Sequence, residues 1–281
     1  MTSAKRARLA QWLEGDGIEI GALHRPLEVP PGARVRYVDH LDEAGLRAAY
    51  PELAALPLAP VSVIGSAEDL SAFDDGSVDF VIANHLLEHL EYPLRGLVEF
   101  QRVLRPGGLL YLSLPDKRVT FDRDRALTTT EHLISEHVRS DAEAHRREHY
   151  LDWARHVDKA KAPDVERHAD GLMEKGYSIH FHVWRQDTFL DFLTRARAET
   201  DLDLATLQLA GVEFEDDDEF TLLLAKGPFD APRLPPAPVR RDARGNGAAP
   251  PDGTSLRRRV AATPIGPPVR AVLRTLRRTA R

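Results

Sequence analysis

The sequence predicts an α/β fold with a doubly wound, mostly parallel, seven-stranded sheet, a reversed last strand and a helical insertion. Short, nearly continuous apolar segments alternate with helical patterns over residues 15–115, which is typical of a parallel sheet covered on both faces. Two further apolar segments, 202–214 and 220–225, are separated by a short acidic connection, which requires an antiparallel hairpin. Residues 116–185 are polar and rich in histidine, and we expect helices and loops there.

Each element has a local signature in the chain. We predict parallel strands at five apolar segments: 17–21, 35–39, 61–65, 78–83 and 109–114. Helices are expected at 5–14, 42–50 and 92–104 and from about Gln186 onward. Pro26 and Pro30 exclude a long helix after the first strand, because proline lacks the N–H group and clashes with the preceding turn. Pro106-Gly107-Gly108 is expected to stop the third helix.

The composition is that of a soluble globular protein. The chain has 281 residues, of which 42% are hydrophobic and 29% charged, and this is enough for a sizeable core. It contains no cysteine, which excludes disulfides, thiolate metal sites and thiol nucleophiles. We find neither a run of about 18 apolar residues nor a signal peptide, and we therefore expect a cytoplasmic protein.

Charge is distributed unevenly along the chain. The net charge is −6, but residues 228–281 hold 12 Arg and 3 acidic residues, a net of +9 that leaves −15 on residues 1–227. An acidic body argues against nucleic acid as a ligand, because phosphates need a basic surface. We therefore predict one domain over 1–227 and a disordered basic tail over 228–281. Val269, Val272, Leu273 and Leu276 recur at helical spacing in the tail, so weak contact with an anionic membrane is the alternative to a solvated segment.

Candidate binding residues follow the predicted strands. In a doubly wound sheet, ligands bind outside the carboxyl ends of the strands. The residues found there are Glu19 and Gly21, Asp39, Ser66-Ala67-Glu68-Asp69, and Asn84 with His85. Carboxylates at strand ends suit ribose hydroxyls and a cationic ligand, and they disfavour a phosphate. The pattern therefore favours a nucleoside without phosphates.

Five motifs follow one another along the chain: Glu19-Ile20-Gly21, Asp39, Ser66-Ala67-Glu68-Asp69-Leu70, Phe73 to Val81, and Arg102-Val103-Leu104-Arg105-Pro106-Gly107-Gly108. In order and spacing they resemble the class I S-adenosylmethionine-dependent methyltransferases with a methyltransferase type 11-like core. The resemblance covers about residues 15–115. It implies a Rossmann-like methyltransferase fold and S-adenosylmethionine as the cofactor.

The resemblance implies a set of cofactor-binding positions. Glu19 and Gly21 would lie beside the methionine part of the cofactor, and Asp39 would bind the ribose hydroxyls. Ala67, Glu68 and Asp69 would follow the adenine, whose amine Glu68 or Asp69 could bind, and Asn84 would border the transferred methyl group.

The first loop departs from the family pattern. Gly21 is followed by Ala22-Leu23-His24-Arg25-Pro26 rather than by further glycines. We therefore expect Arg25 to bind the carboxylate of the cofactor, with a plain surface charge as the alternative.

Residues 116–185 are expected to cover the acceptor as a lid. They contain eight of the twelve histidines: His132, His137, His145, His149, His156, His168, His180 and His182. The pattern resembles, more weakly, methyltransferases of bacterial glycan biosynthesis. Because a hydroxyl acceptor needs a base of near-neutral pKa, we predict His85, His180 and His182 as catalytic residues. His180 and His182 on a strand would face the same side and could bind a metal with His149, but we assign no metal; a structural role is the third alternative.

The sequence therefore predicts a methyltransferase that modifies a hydroxyl, or in second place an amine, of a small polar acceptor such as a sugar or glycan precursor. Three alternatives remain open. A non-catalytic S-adenosylmethionine-binding module is suggested by the atypical first loop, another transferase could use the same cofactor, and a scaffold could act at a membrane through the tail.

Overall fold

The computed structural model describes residues 4–53, 55–138, 142–213 and 217–227. Seven helices lie in these ranges: α1 (Ala4–Ala10), α2 (Glu43–Ala49), α3 (Pro93–Val103), α4 (Thr130–Val138), α5 (Ala142–His156), α6 (Val165–Lys175) and α7 (Gln186–Glu199). The strands are β1 (Gly15–Ile20), β2 (Ala33–Asp39), β3 (Val61–Ile64), β4 (Val78–Asn84), β5 (Leu104–Pro115), β6 (Leu204–Ala210) and β7 (Glu219–Lys226). None of the described helices has the length and hydropathy to cross a bilayer.

The seven strands form one sheet in the order β3-β2-β1-β4-β5-β7-β6. Strands β1 to β5 are parallel to one another, and β7 runs antiparallel to both β5 and β6. The predicted doubly wound sheet with a reversed last strand is therefore confirmed. Strand order reverses between β1 and β4, and this is the point at which such sheets bind ligands.

Apolar side chains cover both faces of the sheet, as the near-continuous apolar strands predicted. In β4, Val81 and Ala83 pack in the cluster that contains residues of α3 and α7, whereas Phe80 and Ile82 pack in the cluster that contains Leu9 of α1. All four are fully buried. Since successive side chains of a strand point to opposite faces, β4 joins the two halves of the core.

Three elements differ by several residues from the sequence prediction. The strand predicted over 202–214 spans only Leu204–Ala210. The first helix ends at Ala10 rather than at residue 14. Strand β5 begins at Leu104, so Pro106-Gly107-Gly108 lies within the strand instead of outside it. The pairing of β4 with β5 shifts register there, and Gly107 has a φ of 74°, which glycine adopts without the strain of a side chain.

The connection between β1 and β2 contains no helix over residues 21–32, as its prolines predicted. Residues 116–185 form the expected helical insertion, with a 3₁₀ turn at Phe121–Asp124 followed by α4, α5 and α6. The insertion has its own apolar cluster of buried residues: Tyr150, Trp153, Ala154, Ala169, Ile179 and Phe181. The predicted basic tail, 228–281, lies outside the described residues.

Candidate functional site

Three of the predicted binding positions meet at one level of the sheet. Ile20 of β1 pairs with Val38 of β2 and with Ala83 of β4. The next position on each chain segment is a candidate residue, so Gly21, Asp39 and Asn84 lie side by side at the carboxyl edge. Gly21 also donates its N–H to the carbonyl of Val38 at 3.0 Å, which continues the ladder by one residue.

Glu19 points into this edge from β1 and is only 1% exposed. Both of its carboxylate oxygens lie 3.0 Å from the N–H of Leu27, and Oε1 accepts from Asn84 Nδ2 at 3.4 Å. Burial raises the pKa of Glu19 to about 7, although these two hydrogen bonds lower it. Glu19 therefore fastens the loop that follows β1 and titrates near neutral pH.

The loop itself contains two residues in the left-handed region, Gly21 with φ 70° and Leu23 with φ 48°. The Leu23 carbonyl accepts a hydrogen bond from the N–H of Ala59 at 2.7 Å. Arg25 is exposed, and its Nε contacts His24 Nε2 at 3.1 Å. The predicted role of Arg25 toward the cofactor carboxylate stays a prediction.

Asp39 and Asn84 each offer an oxygen to a ligand. Asp39 is 6% exposed, and its Oδ1 accepts from the N–H of His40 at 2.8 Å and contacts His40 Nδ1 at 2.7 Å. Its Oδ2 has no hydrogen-bond partner among the described residues. Asn84 Oδ1 is buried and likewise has none in this part of the chain. Because buried polar atoms are nearly always hydrogen-bonded, the buried oxygen of Asn84 fits a ligand that carries a donor. The Asp39 oxygen that His40 leaves free suits a donor such as a ribose hydroxyl.

The segment after β3 forms a tight turn in which Ser66 and Asp69 bridge to each other. Ala67 is buried, and Glu68 accepts from the N–H of Tyr92 at 3.1 Å, which ties the turn to the start of α3. Burial raises the pKa of Glu68, whereas the hydrogen bonds from Ser71 lower the pKa of Asp69. Glu68 thus has one oxygen engaged by the backbone, and neither Glu68 nor Asp69 lies in a helix.

His85 stands at the end of β4 in a strained conformation, with a φ of 48° that non-glycine residues rarely adopt. Its Nε2 lies 2.8 Å from Glu219 Oε2, and its Nδ1 lies 3.5 Å from Glu88 Oε1. Arg6 completes the network through Nε, which donates to Glu219 Oε1 at 2.7 Å. Positions 6, 88 and 219 are far apart in sequence, so sequence reasoning did not identify this network.

The two carboxylates keep His85 protonated. Burial lowers its pKa, but the hydrogen bond to Glu219 and the negative charges of Glu219 and Glu88 outweigh burial and raise the pKa to about 10. Burial raises the pKa of Glu219 in the same way, and Arg6 with His85 bring it down to about 2. At neutral pH His85 is therefore an imidazolium ion, which differs from the near-neutral pKa that we expected of a catalytic base at this position.

His180 and His182 do not share a face, in contrast to the sequence prediction. Residues 177–185 form no strand ladder, and the N–H groups of Phe181 and His182 both reach the carbonyl of Glu88, at 2.7 and 3.3 Å. Without the alternation of a strand, the two imidazoles enter different groups.

One group contains His180 with Glu88 and His89, and the other contains His182 with His132 and His149. The proposed trio of His149, His180 and His182 is therefore wrong as a single group. His89 lies four residues after His85 in the sequence, but its partners depend on the path of the insertion.

Comparison with known proteins agrees with the fold. Residues 17–112 match a family model described as a methyltransferase domain. An uncharacterised protein in a transposon of Streptomyces fradiae is 34% identical over 102 residues, which are 36% of this chain. The chain spans 28% of the length of that curated relative.

Solved structures with a similar chain path are distant in sequence. A possible histamine N-methyltransferase from Thermotoga maritima is 16% identical, with a TM-score of 0.42 and coverage of 76% of this chain and 83% of that one. An S-adenosylmethionine-dependent methyltransferase from Methanosarcina mazei is 19% identical, with a TM-score of 0.43 and coverage of 81% and 99%.

Proposed function

We propose that this chain is a class I S-adenosylmethionine-dependent methyltransferase, and that it transfers a methyl group to a hydroxyl of a small polar acceptor such as a sugar or glycan precursor. An amine is the second choice of acceptor group. Bound S-adenosylmethionine supplies the methyl on a positively charged sulfur, so the protein has to align the acceptor and accept its proton.

The observation that carries the proposal is a pair of oxygens at one level of the sheet edge. Asn84 Oδ1 is buried without a hydrogen-bond partner among the described residues, and Asp39 Oδ2 is not engaged by His40, which binds only Oδ1. Ribose hydroxyls would donate to Asp39, and the charged methionine part would lie near Glu19 and Asn84. The same edge is acidic, which favours a cationic cofactor over a phosphorylated one.

The acceptor would lie between the end of β4 and the insertion. Residues 177–185 contact the turn after β4, and several polar side chains lie near this contact: Glu88, His89, Asp122, His180 and His182. Among the predicted bases, His180 has the better defined orientation, because its Nδ1 lies 2.6 Å from Asp122 Oδ2. A proton on Nδ1 leaves the lone pair on Nε2, the arrangement by which a carboxylate orients a catalytic imidazole.

Two measurements on the full chain test the proposal. Calorimetry with S-adenosylhomocysteine measures cofactor binding, and incubation of methyl-labelled S-adenosylmethionine with panels of sugars, nucleotide sugars and amines measures transfer. We expect binding, and we expect label in hydroxyl acceptors before amines. Binding without transfer to any panel would favour the non-catalytic module, and transfer only to amines would overturn the choice of acceptor atom.

A further inference from the structure

Two imidazoles and one carboxylate meet where the insertion packs on the end of β4. Glu88 and His89 belong to the 3₁₀ turn Leu87–His89, and His180 belongs to the insertion. One nitrogen or oxygen from each of the three residues lies within 4.8 Å of those of the other two. The rings of His89 and His180 stand nearly perpendicular, at 82°, with their centroids 4.7 Å apart.

Outer partners orient both imidazoles toward the group. His89 Nδ1 lies 3.0 Å from the carbonyl oxygen of Ile179, which can only accept, so Nδ1 carries the proton. His180 Nδ1 lies 2.6 Å from Asp122 Oδ2, and Asp122 Oδ1 in turn accepts from Arg125 Nη1 at 2.8 Å. Both rings therefore present an Nε2 lone pair. Metal-ligating histidines are held in this way, by a carbonyl or a carboxylate on the other ring nitrogen.

Glu88 supplies the negative charge of the group. It is 0% exposed, and neither carboxylate oxygen has a hydrogen-bond partner among the described residues. Its nearest ionic contact is His85 Nδ1 at 3.5 Å, which is long for a charged pair. A buried carboxylate without hydrogen bonds is costly, and a cation at this position would compensate for it.

We infer that Glu88, His89 and His180 bind a divalent transition-metal ion of the zinc class, in which case the Nε2 lone pair of His180 is a metal ligand and not the base of the proposed function. Two imidazoles and one carboxylate are a known set of three protein ligands for zinc, with the fourth position open to a water or a substrate oxygen. Bonds of about 2.0–2.1 Å at tetrahedral angles place ligand atoms about 3.4 Å apart, so each atom has to move by less than about 1 Å. Magnesium and calcium are disfavoured, since they prefer oxygen ligands.

The second group, His132, His149 and His182, is the competing location for a metal. It consists of three imidazoles, and His132 Nε2 and His149 Nε2 lie 3.4 Å apart. The first group differs in its members, because Glu88 adds a charge that offsets the cation. Variants in both groups therefore decide between the two locations.

The test uses the full chain after treatment with a chelator. Titration with zinc, followed by metal analysis of the desalted protein, measures the number of bound ions, and cobalt as a substitute gives visible absorption bands that report on ligand geometry. We expect the Glu88→Gln and His180→Ala proteins each to bind one zinc ion fewer per chain than the unaltered protein. Asp122→Asn should weaken zinc binding about 10–100-fold without loss of the fold, because the hydrogen bond to His180 persists while the ligand becomes less basic.

Two further variants serve as controls. His168, whose Nε2 lies 2.7 Å from Asp158 Oδ2, is partly exposed on α6, so His168→Ala should bind zinc like the unaltered chain. His149→Ala should still bind the zinc ion whose binding depends on Glu88. Thermal unfolding of each variant, followed by circular dichroism, shows which variants are folded.

The inference is overturned if the folded, chelator-treated chain binds no zinc. It is also overturned if His149→Ala abolishes binding while His180→Ala and Asp122→Asn do not, because the ion would then lie in the second group.

Discussion

Glu19 should make the protein less stable as pH rises, and Glu19→Gln should remove that dependence. Burial raises the pKa of this carboxyl from 4.5 to about 7. A group with a higher pKa in the folded chain stabilises the fold below its unfolded pKa and loses that contribution as pH rises through its folded pKa. The loss therefore falls between pH 4.5 and about 7, and a shift of this size corresponds to about 3 kcal/mol.

Urea unfolding without ligand, near pH 5 and near pH 8, measures the effect. Near pH 5 the folded protein holds Glu19 in its neutral form, and glutamine, which can still accept from the N–H of Leu27, should give a similar free energy of unfolding. Near pH 8 Glu19→Gln should be the more stable protein by about 3 kcal/mol. Glu28→Gln, at an exposed position of the same loop, is the matched control. If the free energies of unfolding of Glu19→Gln and the unaltered chain differed by the same amount at both pH values, the reasoning would be refuted.

The same variant separates a structural role of Glu19 from a role in cofactor binding. If the carboxylate binds the charged methionine part, Glu19→Gln should bind S-adenosylhomocysteine more weakly near pH 8 although it is more stable. Residues that bind a ligand but lower the stability of the fold are typical of functional sites. Calorimetry that shows equal affinity would mean that Glu19 serves only to fasten the loop.

Three further predictions follow from the strand edge, the ion network and the histidines. Asp39→Ala should weaken S-adenosylhomocysteine binding by about 1.5–3 kcal/mol in calorimetry, while Asp74→Ala, at an exposed position, should not; unchanged affinity would show that Asp39 does not bind the ribose. Glu219→Gln should destabilise the fold at pH 7 by about 3–5 kcal/mol, because it leaves buried charges unpaired, and the difference in urea unfolding should shrink as pH falls from 4.5 through about 2; a constant difference would contradict the network. His180→Ala should lower turnover about 10²–10⁴-fold with unchanged cofactor affinity, whether His180 is a base or a metal ligand; a parallel loss of thermal stability would instead indicate a structural role. A catalytic base of near-neutral pKa makes the rate rise with pH near 6–7. His85→Ala should not remove such a rise, since His85 stays protonated there.

Local patterns were sufficient to predict the sheet and its order of elements. The apolar segments of β1 to β5 and the short connection before β7 each carry their own signal, and so do the strand-end residues Glu19, Asp39 and Asn84. The position of Pro106 was misjudged because a Pro-Gly-Gly string has the same appearance in a turn and in a strand with a shift of register.

The contacts of the site could not be predicted in the same way. Glu19 accepts a hydrogen bond from the backbone N–H of Leu27. Nearly every residue has such an N–H group, so the sequence does not show which one is the donor. The pKa of His85 depends on Glu219, which comes from the other end of the domain. His180 and His182 were assigned to one face by the rule for strands, and the rule did not apply because their segment bonds to the turn after β4 instead of to a strand.

The contact between the insertion and that turn has a consequence for catalysis. Phe181 N–H bonds to the Glu88 carbonyl, and His89 Nδ1 bonds to the Ile179 carbonyl, so two hydrogen bonds of opposite direction join the segments. In our proposal, the sheet edge positions the cofactor methyl and the insertion positions the acceptor. In-line transfer depends on the distance between the two, and small displacements of reacting groups are costly. Changes at this contact should therefore reduce turnover more than cofactor affinity, which is the reverse of the effect expected for Asp39.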